Sequence, residues 1–400
     1  MASCRRRGVL RRLRKLVCPT RMITRAFSWS IIAALMLSSL LSGCSPIYFL
    51  RAAYEEGRIL WRRQPIIDFL ATPDLHTDTK EKLTTVLAVR DYAQNVLNLN
   101  VAGSYASYSY VDRPDLTYIV IAAPQTELRP YTWWFLVVGH VPYKGFFSKS
   151  EAQWEAERLH KQGYDTTIRT SAAFSTLGWF DDPLLSHLLR FDKIALTEVV
   201  FHELFHNTLY IKGAGAFNES AANFIGHRAA IDFFAQRFGQ ESAEHRRAVQ
   251  RWEEELEFAE FIEELINNLS GLYRRNIAKE DKLRLREEVF ARSQSEWARR
   301  IASRPSHRFR GFPQQPLNNA VLMHYGVYLN NLQLFESLYE LEGCNLVRTI
   351  AALEQSTQNG GEPFAALRSW LNRHKTGAIE QAGCRRDKES PFTRAVLLSH

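Results

Sequence analysis

From Ile47 to about Leu99, apolar residues recur at three- and four-residue spacing (Phe49, Ala52, Ala53, Ile59, Leu60, then Leu83, Val86, Leu87, Val89). That is the period of an amphipathic helix, and two or three helices fit the stretch. After Gly103 the period changes. The runs 117–122 and 132–138 are short, β-branched and aromatic, and Gly139, Pro142 and Gly145 punctuate the residues after them, so they predict strands of a small sheet. A helix over about Ser150–Lys161, closed by Gly163, and another strand around 166–174 complete a small mixed α/β unit. From Leu196 onward the pattern is almost wholly helical. Ser242 to Arg304, dense in Glu, Lys, Arg, Ala and Leu, predicts two long amphipathic helices that break near Gly271 or Asn276, with their charge on a solvated face. A loop from Pro313 to Pro316 leads to a helix with Asn318 and Tyr328, and the tail from about Asp387 reads as loosely ordered. The expected fold class is α+β, predominantly α-helical, with no internal repeat.

Composition fits a folded chain: 400 residues, 46% hydrophobic with 24 Phe, 15 Tyr and 9 Trp, can bury a sizeable core. The net charge of +8 would suggest a nucleic-acid or membrane-surface binder, but its location removes that reading. Residues 1–43 hold nine of the 51 Lys and Arg and no acid, which leaves 42 basic residues against 43 acidic ones in the remainder. No nucleic-acid partner is expected.

The basic leader has the parts of a secretory signal: a positive segment, an apolar stretch from about Ser28 to Leu41, and small residues before a cysteine. Fourteen or so apolar residues fall short of the roughly twenty needed to span a bilayer. Translation starting at Met22 would leave Arg25 as the signal's charge. The stretch ends in Leu41-Ser42-Gly43-Cys44, which resembles the bacterial lipobox. The resemblance implies that Cys44 is lipidated and becomes the first mature residue, tethering the protein to a membrane without spanning it. Ser45 in place of Asp implies an outer-membrane anchor facing the periplasm. Of five cysteines, Cys4 and Cys18 would leave with the leader and Cys44 would carry lipid; Cys344 and Cys384 remain as a candidate disulfide.

The run Thr197-Glu-Val-Val-Phe-His202-Glu203-Leu-Phe-His206 carries the chemistry. On a helix, residues four apart lie one turn above each other, so His202 and His206 can offer two imidazoles to one ion, with Glu203 beside a metal-bound water as the base. One zinc ion is the expected cofactor, and a catalytic zinc site needs a third protein ligand. Glu219 is the candidate: Gly213 and Gly215 break the first helix, and a second beginning near Asn218 could return and aim Glu219 at the same point. Asn223, one turn further, could hydrogen-bond the outer nitrogen of a ligating histidine. Glu198 reads as a surface carboxylate, with bracing of a histidine as the alternative. His227 reads as a satisfied interior histidine rather than a fourth ligand. Tyr210 and Tyr328 are candidate oxyanion donors. Asp181 and Asp182 could hold a substrate ammonium, although before Pro183 they more simply start a turn or cap a helix.

Phe174-Ser-Thr-Leu-Gly-Trp-Phe-Asp-Asp-Pro183, His202-Glu-Leu-Phe-His206, Phe217-Asn-Glu-Ser220, Leu317-Asn-Asn-Ala320 and Val141-Pro-Tyr-Lys-Gly-Phe-Phe147 together resemble the putative zinc aminopeptidase family of Gram-negative lipoproteins, over roughly Cys44 to Cys344. The resemblance implies a membrane-anchored zinc metallopeptidase of peptide substrates, with His202, His206 and Glu219 as ligands and Glu203 as base. Twelve residues separate His206 from Glu219, fewer than in thermolysin-like enzymes, so the loop is abbreviated. The rival readings are a zinc endopeptidase of envelope proteins or peptidoglycan cross-links, and a non-catalytic envelope lipoprotein. The expected organisation is a lipoprotein signal peptide (1–43), an N-terminal helical segment (44–100), a small α/β subdomain (101–180), a helical zincin-like catalytic region (181–345) and a C-terminal helical extension with tail (346–400).

Overall fold

Helical and strand periods segregate along the chain as the sequence pattern implies, and the computed structural model describes residues 46–113, 115–135, 139–171 and 181–375. The leader with Cys44, most of the Phe174–Pro183 motif, Cys384 and the tail lie outside the described residues. The chain divides into two compact units at Tyr54–Glu55; helix α1 (Pro46–Trp61) begins in the first, and the later elements belong to the second.

The fold is mostly helical with small sheets, as the pattern predicts. The N-terminal stretch forms α1, α2 (Ile66–Leu70) and α3 (Thr77–Asn95), with β1 (Gln64–Pro65) between the first two. Strands β2 (Ser107–Ser109) and β8 (Leu184–Leu185) pair in parallel, and β1 joins β2 antiparallel. Two- and three-residue strands are below what a period-two pattern can reveal, and none of these was legible in the sequence.

The longest strands were legible. β3 (Thr117–Pro124) pairs antiparallel with β6 (Lys144–Phe146) on one side and β7 (Tyr164–Ser171) on the other. β4 (Trp133–Phe135) and β5 (Gly139–Val141) form a separate hairpin. β3 is apolar on both faces because both are covered: Val120 and Ala122 pack with Ala152, Ala156 and Leu159 of α4 (Lys149–Lys161), while Ile121 and Ala123 meet Ala320. Gly163 (φ +83°) ends that helix in a conformation open to glycine.

The helical region begins with α5 (Lys193–His206), where the Asp192 carboxylate accepts from the Ala195 amide at 2.8 Å as N-cap. Next come α6 (Gly215–Phe238), α7 (Ala243–Tyr273) and α8 (Lys279–Arg300). The break falls between Tyr273 and Lys279, so Gly271 stays inside α7. The remaining helices are α9 (Asn319–Tyr328), α10 (Leu332–Leu341), α11 (Leu346–Thr357) and α12 (Pro363–Lys375). One large core runs through α3, α5, α6, α7 and α10 and includes Phe201, Phe205, Phe224, Phe234, Phe258 and Phe335. Cys344 is disulfide-bonded and left-handed (φ 55°); its expected partner Cys384 lies outside the described residues.

Candidate metal centre

α5 carries His202, Glu203 and His206 on its last turns, and α6 returns against it. Their crossing is close at Gly226, where a Cβ would lie 2.7 Å from the Glu198 carbonyl oxygen and 3.3 Å from His202 Cβ. Glycine there lets the α6 backbone approach α5 closely enough for Glu219 to reach both histidines. Asn218 closes the short connecting loop: its amide donates to the Ile211 carbonyl at 2.8 Å and its oxygen accepts from the Ile211 amide at 2.9 Å.

Three donor groups converge as a result. His202 Nε2 lies 3.2 Å from His206 Nε2 and 3.3 Å from Glu219 Oε2, and His206 Nε2 is 3.7 Å from Glu219 Oε1. Among the described residues these are the His, Cys, Asp and Glu side chains grouped closely enough to hold a metal ion. Burial alone would raise the Glu219 carboxyl, but hydrogen bonding and charge from His202 and His206 hold it well below the ordinary carboxylate range. His206 is pushed up: burial lowers it, and the Glu219 carboxylate outweighs that. The arrangement suits a cation shared by two imidazoles and a carboxylate.

Glu203 stands apart from this trio. Burial raises its carboxyl, His202 and His206 oppose that, and the charges of Glu219 and Asp182 reinforce it. Tyr328 lies with its ring 6.4 Å from His202, and Tyr210 with its ring 6.5 Å from His206. Tyr105, buried and left-handed (φ 59°), feels the charges of Glu203 and Asp182 after the larger effect of its own burial. Sequence pattern carries no signal for Tyr105, because a left-handed tyrosine in a loop has no periodicity.

Other expectations are corrected. Asn223 does not reach an imidazole; its amide donates to Glu255 Oε1 and to the Tyr328 carbonyl, both at 3.2 Å. The His206 Nδ1 atom is buried with no hydrogen-bond partner among the described residues. Glu198 is not a surface carboxylate: it is 6% exposed, it accepts from Arg251 Nε and Nη2 (2.7 Å to the latter), and it lies 3.1 Å from His227 Nδ1. His227 is interior, as expected. Asp181 caps no helix; its Oδ1 accepts from the Gly103 amide at 2.8 Å, and a Cβ on Gly103 would collide with that carboxyl at 2.4 Å. Asp182 is buried, and its charge adds to burial in raising Glu56 to about 7.

A protein-family model described as "Putative aminopeptidase" matches residues 47–362. No curated protein matches the chain, and no solved structure does.

Proposed function

This chain belongs to the Putative aminopeptidase family, and from that membership we propose that it is a lipid-anchored, single-zinc peptidase that removes N-terminal residues from peptides. The observation that carries the reading is the convergence of His202, His206 and Glu219. A tetrahedral zinc site with bonds of about 2.0–2.1 Å has ligand atoms about 3.3 Å apart, against separations here of 3.2, 3.3 and 3.7 Å. Two imidazoles and one carboxylate are also a donor set typical of catalytic zinc, with one position open.

These three residues would hold the ion. When bound, zinc supplies a Lewis acid for the scissile carbonyl and lowers the pKa of water toward 7. Glu203 takes a proton from the attacking water as the water oxygen bonds to the peptide carbon. The carbon–nitrogen bond then breaks, and Glu203 passes the proton to the departing nitrogen. Glu203→Gln keeps the shape but cannot accept the proton, so the variant should retain zinc and lose turnover by about 10³-fold or more. Zinc-loaded Glu203→Gln that hydrolyses peptides at the wild-type rate would contradict this role. Free but not N-acetylated peptides should be cleaved; equal cleavage of both would favour an endopeptidase.

The anchor is Cys44, after signal cleavage, in the outer membrane facing the periplasm. Support for it comes from the Leu41–Cys44 pattern and the basic, apolar leader. No helix among the described residues is long and apolar enough to cross a membrane. Palmitate labelling should be lost in Cys44→Ser, and label retained by that variant would reject the anchor.

A further inference from the structure

Two tyrosines flank the histidine pair, and they differ in exposure. Tyr210 sits in the loop after α5 and is 47% exposed. Tyr328 ends α9 and is part-buried, with no hydrogen-bond partner for its hydroxyl among the described residues. Its backbone is fastened to α6, the helix that carries Glu219. Ser220 Oγ donates to the Val327 carbonyl at 3.0 Å and accepts from the Asn330 amide at 3.1 Å. The Asn223 amide donates to the Tyr328 carbonyl and to Glu255, whose other oxygen is ion-paired with Arg308. Ser220 is one residue beyond Glu219 and Asn223 one turn beyond it, so the metal ligand and the tyrosine share one rigid support.

We propose that Tyr328 is a catalytic residue of this site, donating a hydrogen bond from its hydroxyl to the scissile carbonyl oxygen as negative charge develops there, and that Ser220 and Asn223 are its positioning residues. The inference rests on the zinc peptidase reading and adds the donor that reading lacks. As the water oxygen bonds to the peptide carbon, the carbonyl π electrons move onto oxygen; a donor fixed beforehand stabilises that charge without reorganising. An ordinary phenol is protonated near neutral pH, so the Tyr328 hydroxyl has a proton to donate. The backbone next to Tyr210 is also pinned to α6, through the two Asn218 bonds to Ile211, but its side chain is exposed, so water competes for its hydroxyl.

The test uses the full-length, zinc-loaded protein and a series of free peptides. Tyr328→Phe should lower kcat by about 10²–10³-fold, the range for loss of one oxyanion donor, with KM and zinc content unchanged. It should weaken binding of a phosphonate peptide analogue of the tetrahedral intermediate by the same factor as kcat/KM, while binding of a substrate-like product is unaffected. Asn223→Ala should lower kcat by about tenfold with KM unchanged; a purely structural role would lower the melting temperature and leave kcat below melting intact. The proposal is overturned if Tyr328→Phe retains wild-type kcat, or if Tyr210→Phe shows the larger loss. The two readings fail separately: a chain that binds no zinc, or whose turnover survives Glu203→Gln, sinks the peptidase mechanism. Turnover that needs Glu203 and ignores Tyr328 sinks this inference alone.

Discussion

At the scale of single residues, the grouping of His202, His206 and Glu219 was legible and its supports were not. His202 and His206 declare themselves by a four-residue step on a helix, and Glu219 by the glycine break before it. Glu198 misled because its partner, Arg251, is 53 positions away, so the sequence shows a charge and hides the burial. Removing Arg251 takes away the two-pronged partner of the buried Glu198 carboxylate and leaves it His227 alone. Arg251→Met should therefore destabilise the protein by about 3–5 kcal/mol in urea unfolding, far more than loss of an exposed pair; a change under about 1 kcal/mol would contradict it. His324 gives a pH signature. Burial and the Arg169 guanidinium push its imidazole down to about 4, against about 6.5 unfolded. The native state keeps it neutral, so its contribution is complete above about pH 6.5 and is lost as pH falls toward 4, on the order of 2–3 kcal/mol. In His324→Leu, unfolding free energies at pH 7.5 and 4.5 should differ by correspondingly less than in the wild type; an identical difference would rule this out.

At the scale of elements, helix periods, the long strands and β4 within the 132–138 run were readable, while β1, β2, β8 and the crossing of α5 with α6 were not. Gly226 reads in sequence as a mild weakness within a helix. In the fold it is where two helices nearly touch, a fact that only the packing partner reveals. Gly226→Ala would otherwise raise helix propensity. Here the Cβ would stand 2.7 Å from the Glu198 carbonyl, and overpacking should outweigh propensity at a net cost of about 1–3 kcal/mol. By pushing α6 from α5 it should also weaken zinc binding relative to the wild type. Metal affinity and stability both at wild-type levels would show that the close approach is dispensable. Asn223 teaches the same limit: one-turn spacing placed it beside the site, and the fold turned its amide to the Tyr328 carbonyl rather than to an imidazole.

At the scale of the whole molecule, one polar knot ties the small sheet to the helices. Asn319 is fully buried; its amide donates to the Pro124 and Glu127 carbonyls, its oxygen accepts from the Tyr273 hydroxyl, and its backbone amide donates to Asp165, which Arg286 also pairs. The Leu317–Ala320 motif was visible as a pattern, but only tertiary structure shows why two asparagines stand there. Asn319→Leu would strand several buried polar groups and should cost about 3 kcal/mol or more by chemical denaturation; near-neutral behaviour would refute that. The fold brings α5 and α6 together at His202, His206 and Glu219, the proposed zinc ligands. Zinc titration of the metal-free, full-length protein by calorimetry tests this most directly. One zinc per chain should bind, with affinity lowered at least about 100-fold in Glu219→Ala and preserved in Glu203→Gln. Undiminished zinc affinity in Glu219→Ala, or no zinc binding by the wild type, would contradict the account.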